Sequence, residues 1–301
     1  MFNERSVSSV LACLLLAAAS AGAQDGGLAA RLALLAKASG AEVAVAMRTL
    51  DGKEEVLLDA GVSFHAASTM KVPVMIELFR QAEAGLLSLD RKIAVVNRFR
   101  SIVDGSPYSL SAGDDSEAEL YRGEGQERTY RELCELMITV SSNLATNVLI
   151  ETLGVDRIRA TVAALGASGM DVRRGVEDNR AFQAGQNNTT TANGLLALLE
   201  AIARGRAVSE PASREMVEIL KRQRFNDGIP AGLPPGTAVA HKTGSITRIQ
   251  HDAGIVYAPR PYVLVVLVRG LEDGTKANAL IASIARTVDA AVGGRRPAPR
   301  E

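Results

Sequence analysis

Two cysteines, three histidines and no tryptophan occur among the 301 residues. Each shortage closes off a chemistry. Cys13 lies in the apolar opening segment, which leaves Cys134 alone in the remainder, so no internal disulfide can form there. Within YRELCELMI, Cys134 stands at helical spacing with Leu133, Met137 and Ile138, which reads as an apolar filler rather than a nucleophile. His65, His241 and His251 are dispersed, and neither an HExxH pattern nor a Cys/His cluster occurs, so nothing points to a metal or another cofactor. An excess of one charge is also missing. The 34 basic residues balance 34 acidic ones, without the basic footprint that nucleic acid or an anionic membrane selects. With 47% apolar and 23% charged residues, the chain can build a sizeable core and does not read as disordered.

No internal repeat or low-complexity tract appears, and no run beyond the opening segment has transmembrane length. That segment, MFNERSVSSVLACLLLAAASAGAQ, has Arg5 near its start, an apolar stretch from Val10 to Ala19, and small residues at Ala21 and Ala23. It reads as a secretory leader over 1–23, cleaved after Ala23. The expectation is an exported protein, periplasmic or secreted, with no stable membrane association after cleavage. The closing GGRRPAPRE reads as a frayed tail.

Along the chain, 42–50 and 54–61 read as strands of a hairpin around Asp51-Gly52. Helical spacing runs from Thr69 to about Leu87. Thr129-Tyr130-Arg131-Glu132 has the form of a capping box and opens a helix to about Val140. Further helical patterns cover 145–153, 155–165, 191–204, 209–223 and 276–291. Strand patterns return at 238–244, 252–258 and 262–270. Strands at both ends with helices between them predict an antiparallel sheet joining the termini, with a helical lobe inserted. The junction of two such lobes is a favourable place for a ligand cleft.

Three short motifs carry chemistry. In HAASTMK, Ser68 and Lys71 stand three apart, so on a helix they share a face and the amine can serve the hydroxyl as a base. In MITVSSNLATN, Ser141 and Asn143 stand two apart and offer a hydroxyl and an amide to one side of an extended or turning segment. At the end of a strand-like run come Lys242, Thr243 and Gly244, followed by Ser245. Lys242 and Thr243 offer a cation and a hydroxyl to a carboxylate, and Gly244 lets a substrate approach the backbone. Singly, each motif is equally well a helix start, a loop cap or a turn.

Together, in this order and at these separations, Ser-x-x-Lys, Ser-x-Asn and Lys-Thr-Gly resemble the motif set of penicillin-recognising serine enzymes, in particular class A β-lactamases. FHAASTMKVPVMIELF, ELMITVSSNLATNVLIETLG, NNTTTANGLLALLEAI and AGLPPGTAVAHKTGSI extend the resemblance from about residue 30 to 290. The resemblance implies an α/β (α+β) two-lobe fold: a five-stranded antiparallel sheet with flanking helices and an inserted all-helical lobe. The sheet lobe would span about 28–60 and 210–292, and the helical lobe about 61–209, within one catalytic domain at 24–301. It further implies a monomeric hydrolase, without cofactor or nucleic-acid partner, acting on small-molecule β-lactams. Ser68 would be acylated with Lys71 accepting or relaying its proton, and Ser141 would protonate the departing nitrogen. Asn143 would bind the substrate's side-chain amide. Lys242, Thr243 and Ser245 would face its carboxylate, with Arg248 or His251 assisting. The N–H groups of Ser68 and Ser245 would form the oxyanion hole.

Class A enzymes also carry a loop glutamate that activates the deacylating water. In RRGVEDNRAFQAGQNNTTT the best match is Glu177, with Asp178 as its rival. The loop departs from the family pattern: Ala181 stands where an asparagine follows the glutamate, and the usual tryptophan is missing. Ser142 replaces an aspartate, and Met75 stands where many relatives pair a second cysteine with the one at 134. The polar segment 101–126 is longer than usual, and Tyr108 or Tyr121 within it is a candidate aromatic wall. Two other functions compete: a penicillin-binding-protein-like D-Ala-D-Ala peptidase or esterase with slow deacylation, and a non-catalytic sensor of β-lactams or cell-wall fragments.

Overall fold

The computed structural model describes residues 27–122 and 125–293. The leader expected over 1–23 and most of the tail lie outside them. Five strands, β1 Glu42–Thr49, β2 Glu55–Leu58, β3 Val239–Ile246, β4 Ile249–Val256 and β5 Tyr262–Arg269, form one sheet. Their order is β2-β1-β5-β4-β3, with every neighbour antiparallel. The N-terminal hairpin thus pairs with the last strand, and the chain between them forms the helical layer.

Strand periodicity decides what each sheet face meets. Val43, Val45 and Met47 of β1 point into one core with Leu264, Val266 and Val268 of β5. Helix α1 (27–39), through Leu28 and Leu32, and a C-terminal helix through Ile281, Ile284 and Val288 cover that side. Ala44 and Ala46 face the opposite core, where their small side chains admit close packing against the sheet.

The helical layer comprises α2 Lys71–Glu83, α3 Tyr130–Thr139, α4 Asn143–Leu153, α5 Val155–Ala164, the short α6 Asn179–Gln183, α7 Ala192–Ala203 and α8 Glu210–Lys221. The C-terminal helix, α9, spans Gly274–Val288. α7 packs on the alanine-bearing face of β1 and on β5. α2 is buried on nearly every side, through Val72, Val74, Met75, Ile76, Leu78 and Phe79, so it forms the axis of this layer. Its one buried carboxylate, Glu77, is matched by Arg80 at 2.6 Å, Thr161 at 2.6 Å and Gln81 at 2.7 Å.

The capping box at Thr129 is formed in both directions, with Glu132 N donating to Thr129 Oγ1 and Thr129 N to Glu132 Oε2. A cap contributes about 1 kcal/mol, whereas burying Leu133, Met137 and Ile138 contributes about 1.5–3 kcal/mol each. The cap therefore sets where α3 starts, and packing keeps it in place. Cys134 is buried in the same face, and burial pushes its thiol pKa up. Among the described residues no helix is long and apolar enough to cross a membrane, and no three His, Cys, Asp or Glu side chains are grouped to hold a metal.

Candidate active site

Ser68 lies in a 3-10 turn, Ala67–Met70, that runs directly into α2. The sequence pattern starts the helix at Thr69; the tighter turn places Lys71 as the first α2 residue and buries it completely. Ser68 itself is half-buried and lines two cavities, one of about 560 Å³ and one of about 330 Å³. The first is walled by Ser141, Thr243, Asp227 and Gly228, the second by Val176, Glu177 and Phe182. Asn143 and Ser245 also line both.

The amine of Lys71 donates to Ser141 O at 2.7 Å, Ser141 Oγ at 3.1 Å and Asn143 Oδ1 at 2.9 Å. From the other side Lys242 donates to the same Ser141 Oγ at 3.1 Å and to Thr243 O at 2.8 Å. One hydroxyl therefore sits between two buried amines. Burial lowers the pKa of Lys71 to about 7, against an upward pull from the Asp115 and Glu177 carboxylates. Burial, and then the charge of Lys71, push Lys242 well below its ordinary value, while Asp252 pulls the other way.

Asn143 continues the network by donating through Nδ2 to Glu177 Oε1 at 2.7 Å. Burial raises the pKa of Glu177, the Asn143 bond opposes this, and the charges of Asp114 and Asp115 reinforce it. Asp178 is placed differently. It caps α6 through Ala181 N and accepts from Ser101 Oγ at 2.9 Å and Ile102 N at 3.0 Å, so its carboxylate ties the loop to segment 101–102.

Lys242, Thr243 and Gly244 lie inside β3, which runs two residues past the expected strand end. Gly244 passes close to the Ser68 turn: a Cβ there would stand 3.1 Å from Ser68 N and from Thr69 N. This approach brings Ser245 beside Ser68. Neither candidate second cation lines the cavities with Ser68. His251 is fully buried, with its ring nitrogens at 2.9 Å from Gln250 O and His65 O, and burial lowers its pKa to about 4. Arg248 sits at the exposed β3–β4 turn, donates to Gly270 O and pairs with Glu272 at 3.2 Å. Neither tyrosine lines these cavities. Tyr108 packs on Phe99, and Tyr121 bonds Asp115 at 2.8 Å.

Two positioning groups lie outside the sequence-derived set. Asp115 Oδ2 accepts from Asn143 N at 2.8 Å, Leu144 N at 2.9 Å and Ser142 Oγ at 3.2 Å, at the start of α4. Asn147 exchanges two hydrogen bonds with Val176, accepting from its N–H at 2.7 Å and donating to its carbonyl at 3.0 Å, immediately before Glu177. Left-handed backbone also gathers here. Ala67 (φ 45°), Ser141 (φ 60°) and Glu177 (φ 60°) are three of five non-glycine residues with positive φ among the described residues. Such strain of about 1–3 kcal/mol persists only where the surroundings impose it, and it aims side chains at functional sites.

This arrangement has recognisable relatives. A family model described as the beta-lactamase enzyme family matches residues 27–292. Beta-lactamase CTX-M-97 of Escherichia coli is 27% identical over 94% of this chain and 96% of its own length. An ancestral class A β-lactamase structure is 28% identical, covers 88% of this chain and 99% of its own, and superposes with a TM-score of 0.76. The structure of PBP-A is 26% identical over 83% of this chain and 89% of its own, with a TM-score of 0.71. This chain therefore belongs to the beta-lactamase enzyme family, in its class A branch.

Proposed function

We propose that this chain hydrolyses β-lactam antibiotics of the penicillin and cephalosporin type through a Ser68 acyl-enzyme. The continuous hydrogen-bonded path Glu177–Asn143–Lys71–Ser141–Lys242 carries the reading. Ser68 Oγ bonds to the lactam carbonyl carbon while its proton passes to neutral Lys71, whose pKa of about 7 suits that transfer. The backbone N–H groups of Ser68 and Ser245 stabilise the oxyanion. The C–N bond then breaks, and Ser141 hands its proton to the ring nitrogen, with its own supply renewed from the adjoining amine. Thr243 and Ser245 meet the substrate carboxylate at the cavity wall, with the Lys242 amine buried behind them, and Gly244 leaves room for the approach. Glu177 removes a proton from water as that water attacks the ester carbonyl; the Ser68 Oγ–C bond then breaks, the opened product leaves, and the proton taken up by Glu177 is returned to Ser68 Oγ.

The leader-like opening supports export to the periplasm or beyond, where cell-wall-directed antibiotics act. A second reading, a penicillin-binding-protein-like peptidase or esterase with slow release, is favoured by one observation. The glutamate loop carries Ala181 in place of the amide expected from the family pattern.

The test is residues 24–301 with a chromogenic cephalosporin, colour followed past one equivalent and intact mass read in parallel. Sustained turnover that is lost in Glu177→Gln, with mass trapped on Ser68, supports the hydrolase and its deacylation base. A single burst with a persistent Ser68 adduct in the wild type replaces it with the slow-release reading. No adduct and no turnover refute both.

A further inference from the structure

His241 is a buried titratable group to which the proposed reaction gives no part. It precedes Lys242 on β3 and is 1% exposed. Its Nδ1 lies 2.9 Å from Asp252 Oδ1, and its Nε2 lies 3.2 Å from Asn226 Oδ1. Asn226 is oriented in turn by donating from Nδ2 to Gln223 O at 3.2 Å. The second Asp252 oxygen, Oδ2, accepts from the Ile229 N–H at 2.8 Å. One His–Asp pair thus holds the segment Asn226–Ile229 at both ends.

The middle of that segment walls the larger cavity. Asp227 and Gly228 line it together with Ser68, Ser141 and Thr243. Strand register explains the juxtaposition. Asp252 stands opposite Thr243, and His241 lies two residues before Thr243, so all three share a face of the sheet. Gly228 presses on this pair: a Cβ at that position would stand 2.5 Å from Asp252 Oδ2. Only glycine lets the wall come so near the carboxylate.

We propose that His241 is a positioning residue that, through Asp252 and Asn226, holds Asn226–Ile229 as the cleft wall beside Thr243 and so governs substrate binding. The kinetic part of this inference rests on the β-lactam reading; the structural part does not.

The test combines ligand-free amide hydrogen exchange over 223–230 with KM and kcat for a chromogenic cephalosporin. His241→Ala removes both contacts. It is expected to speed exchange across 226–229 and raise KM, each about tenfold, the worth of one charge-linked hydrogen bond, with kcat within about twofold. His241→Asn keeps a donor near the ring Nδ1 position. It should preserve protection at Ile229, lose it at Asn226 and Asp227, and recover most of the KM. That variant answers alone if the alanine variant does not fold. Unchanged exchange at 226–229 in both variants overturns the proposal. Faster exchange spread evenly through the chain, or a fall in kcat at constant KM, also overturns it. If the wild type neither turns over nor acylates, the β-lactam reading fails, and the exchange data alone still decide whether His241 holds the wall.

Discussion

Removing the Asp115 carboxylate tests how the site is supported. The side chain accepts four hydrogen bonds on Oδ2: Tyr121 OH at 2.8 Å, Ser142 Oγ at 3.2 Å, Asn143 N at 2.8 Å and Leu144 N at 2.9 Å. Two of these come from backbone N–H groups in the first turn of α4, where a helix has no internal acceptors. Asp115→Ala strands all four donors, and water can reach only some of them because the site is half-buried. The expected cost is about 3 kcal/mol, or a fall in Tm of roughly 6–12 °C for a chain of this size. Asp115→Asn keeps one acceptor oxygen for these four donors, loses the charge and turns its NH2 toward the Glu117 N–H that Oδ1 accepted, so a smaller cost of about 1 kcal/mol is expected. The charge has a second effect. It pulls the pKa of Lys71 upward against burial, and it also raises that of Glu177. In Asp115→Asn both pKa values should fall, and the acid limb of the pH–kcat/KM profile should move to lower pH. Ser142→Asp supplies the converse, since it sets a second carboxylate against the first. It should destabilise the wild type and be rescued in the Asp115→Asn background. Urea melts and pH–rate profiles measure all of this. Equal stability losses for Ala and Asn, or a limb that moves to higher pH, would refute the reasoning.

Lys71→Met should be more stable than the wild type at neutral pH, with a gap that closes as pH rises. The native Lys71 pKa of about 7 lies below its ordinary 10.5, so between those values the unfolded chain holds more protons and unfolding free energy rises with pH. The penalty is complete below pH 7, and the gap should narrow by about 2–3 kcal/mol between pH 7 and 9; a gap constant across that range in urea unfolding would count against a depressed Lys71. The cavity rim is acidic at Asp114 and Asp227, with no cation among its lining residues. Asp114→Asn and Asp227→Asn should each raise kcat/KM for an anionic penicillin a fewfold at low salt, with the gain vanishing near 0.5 M salt. A salt-independent gain would mean a change of shape rather than of field.

The legible parts of the fold were those fixed by local period. Strands 42–50 and 262–270 and the Thr129 capping box read directly, because side-chain alternation and a three-residue cap need no distant partner. Helix 27–39 carries the same kind of signal, with Leu28 and Leu32 spaced by four, and is an addition to the helices expected from the sequence. α6, at five residues, is too short for any period to show. Of the residues the sequence nominates, Ser68 and Asn143 line both cavities, Glu177 lines one and Thr243 the other, while Lys71 and Lys242 lie buried behind them, bonded to Ser141. Asp115 and Asn147 were out of reach. Their roles depend on contacts across 28 and 29 residues, and nothing local distinguishes Asp115 from a solvated loop residue or Asn147 from an ordinary polar helix position.

Asp115 also shows why a changed motif residue need not mean a changed site. Along the chain, Ser142 in place of an aspartate reads as a change of packing next to Ser141. In space, a carboxylate enters from the 101–126 segment and accepts from Ser142 itself. Two amines converge on Ser141, and the charge of Lys71 lowers the readiness of Lys242 to hold a proton on top of its burial. Such a pair requires a nearby negative charge to keep one amine from losing its proton too easily, and the requirement concerns distance, not sequence position. The charge is thus supplied by the loop segment that carries Asp115, well before the motif in the chain. Shortening it past Asp115 should therefore damage the Lys71 environment even though no motif residue is touched.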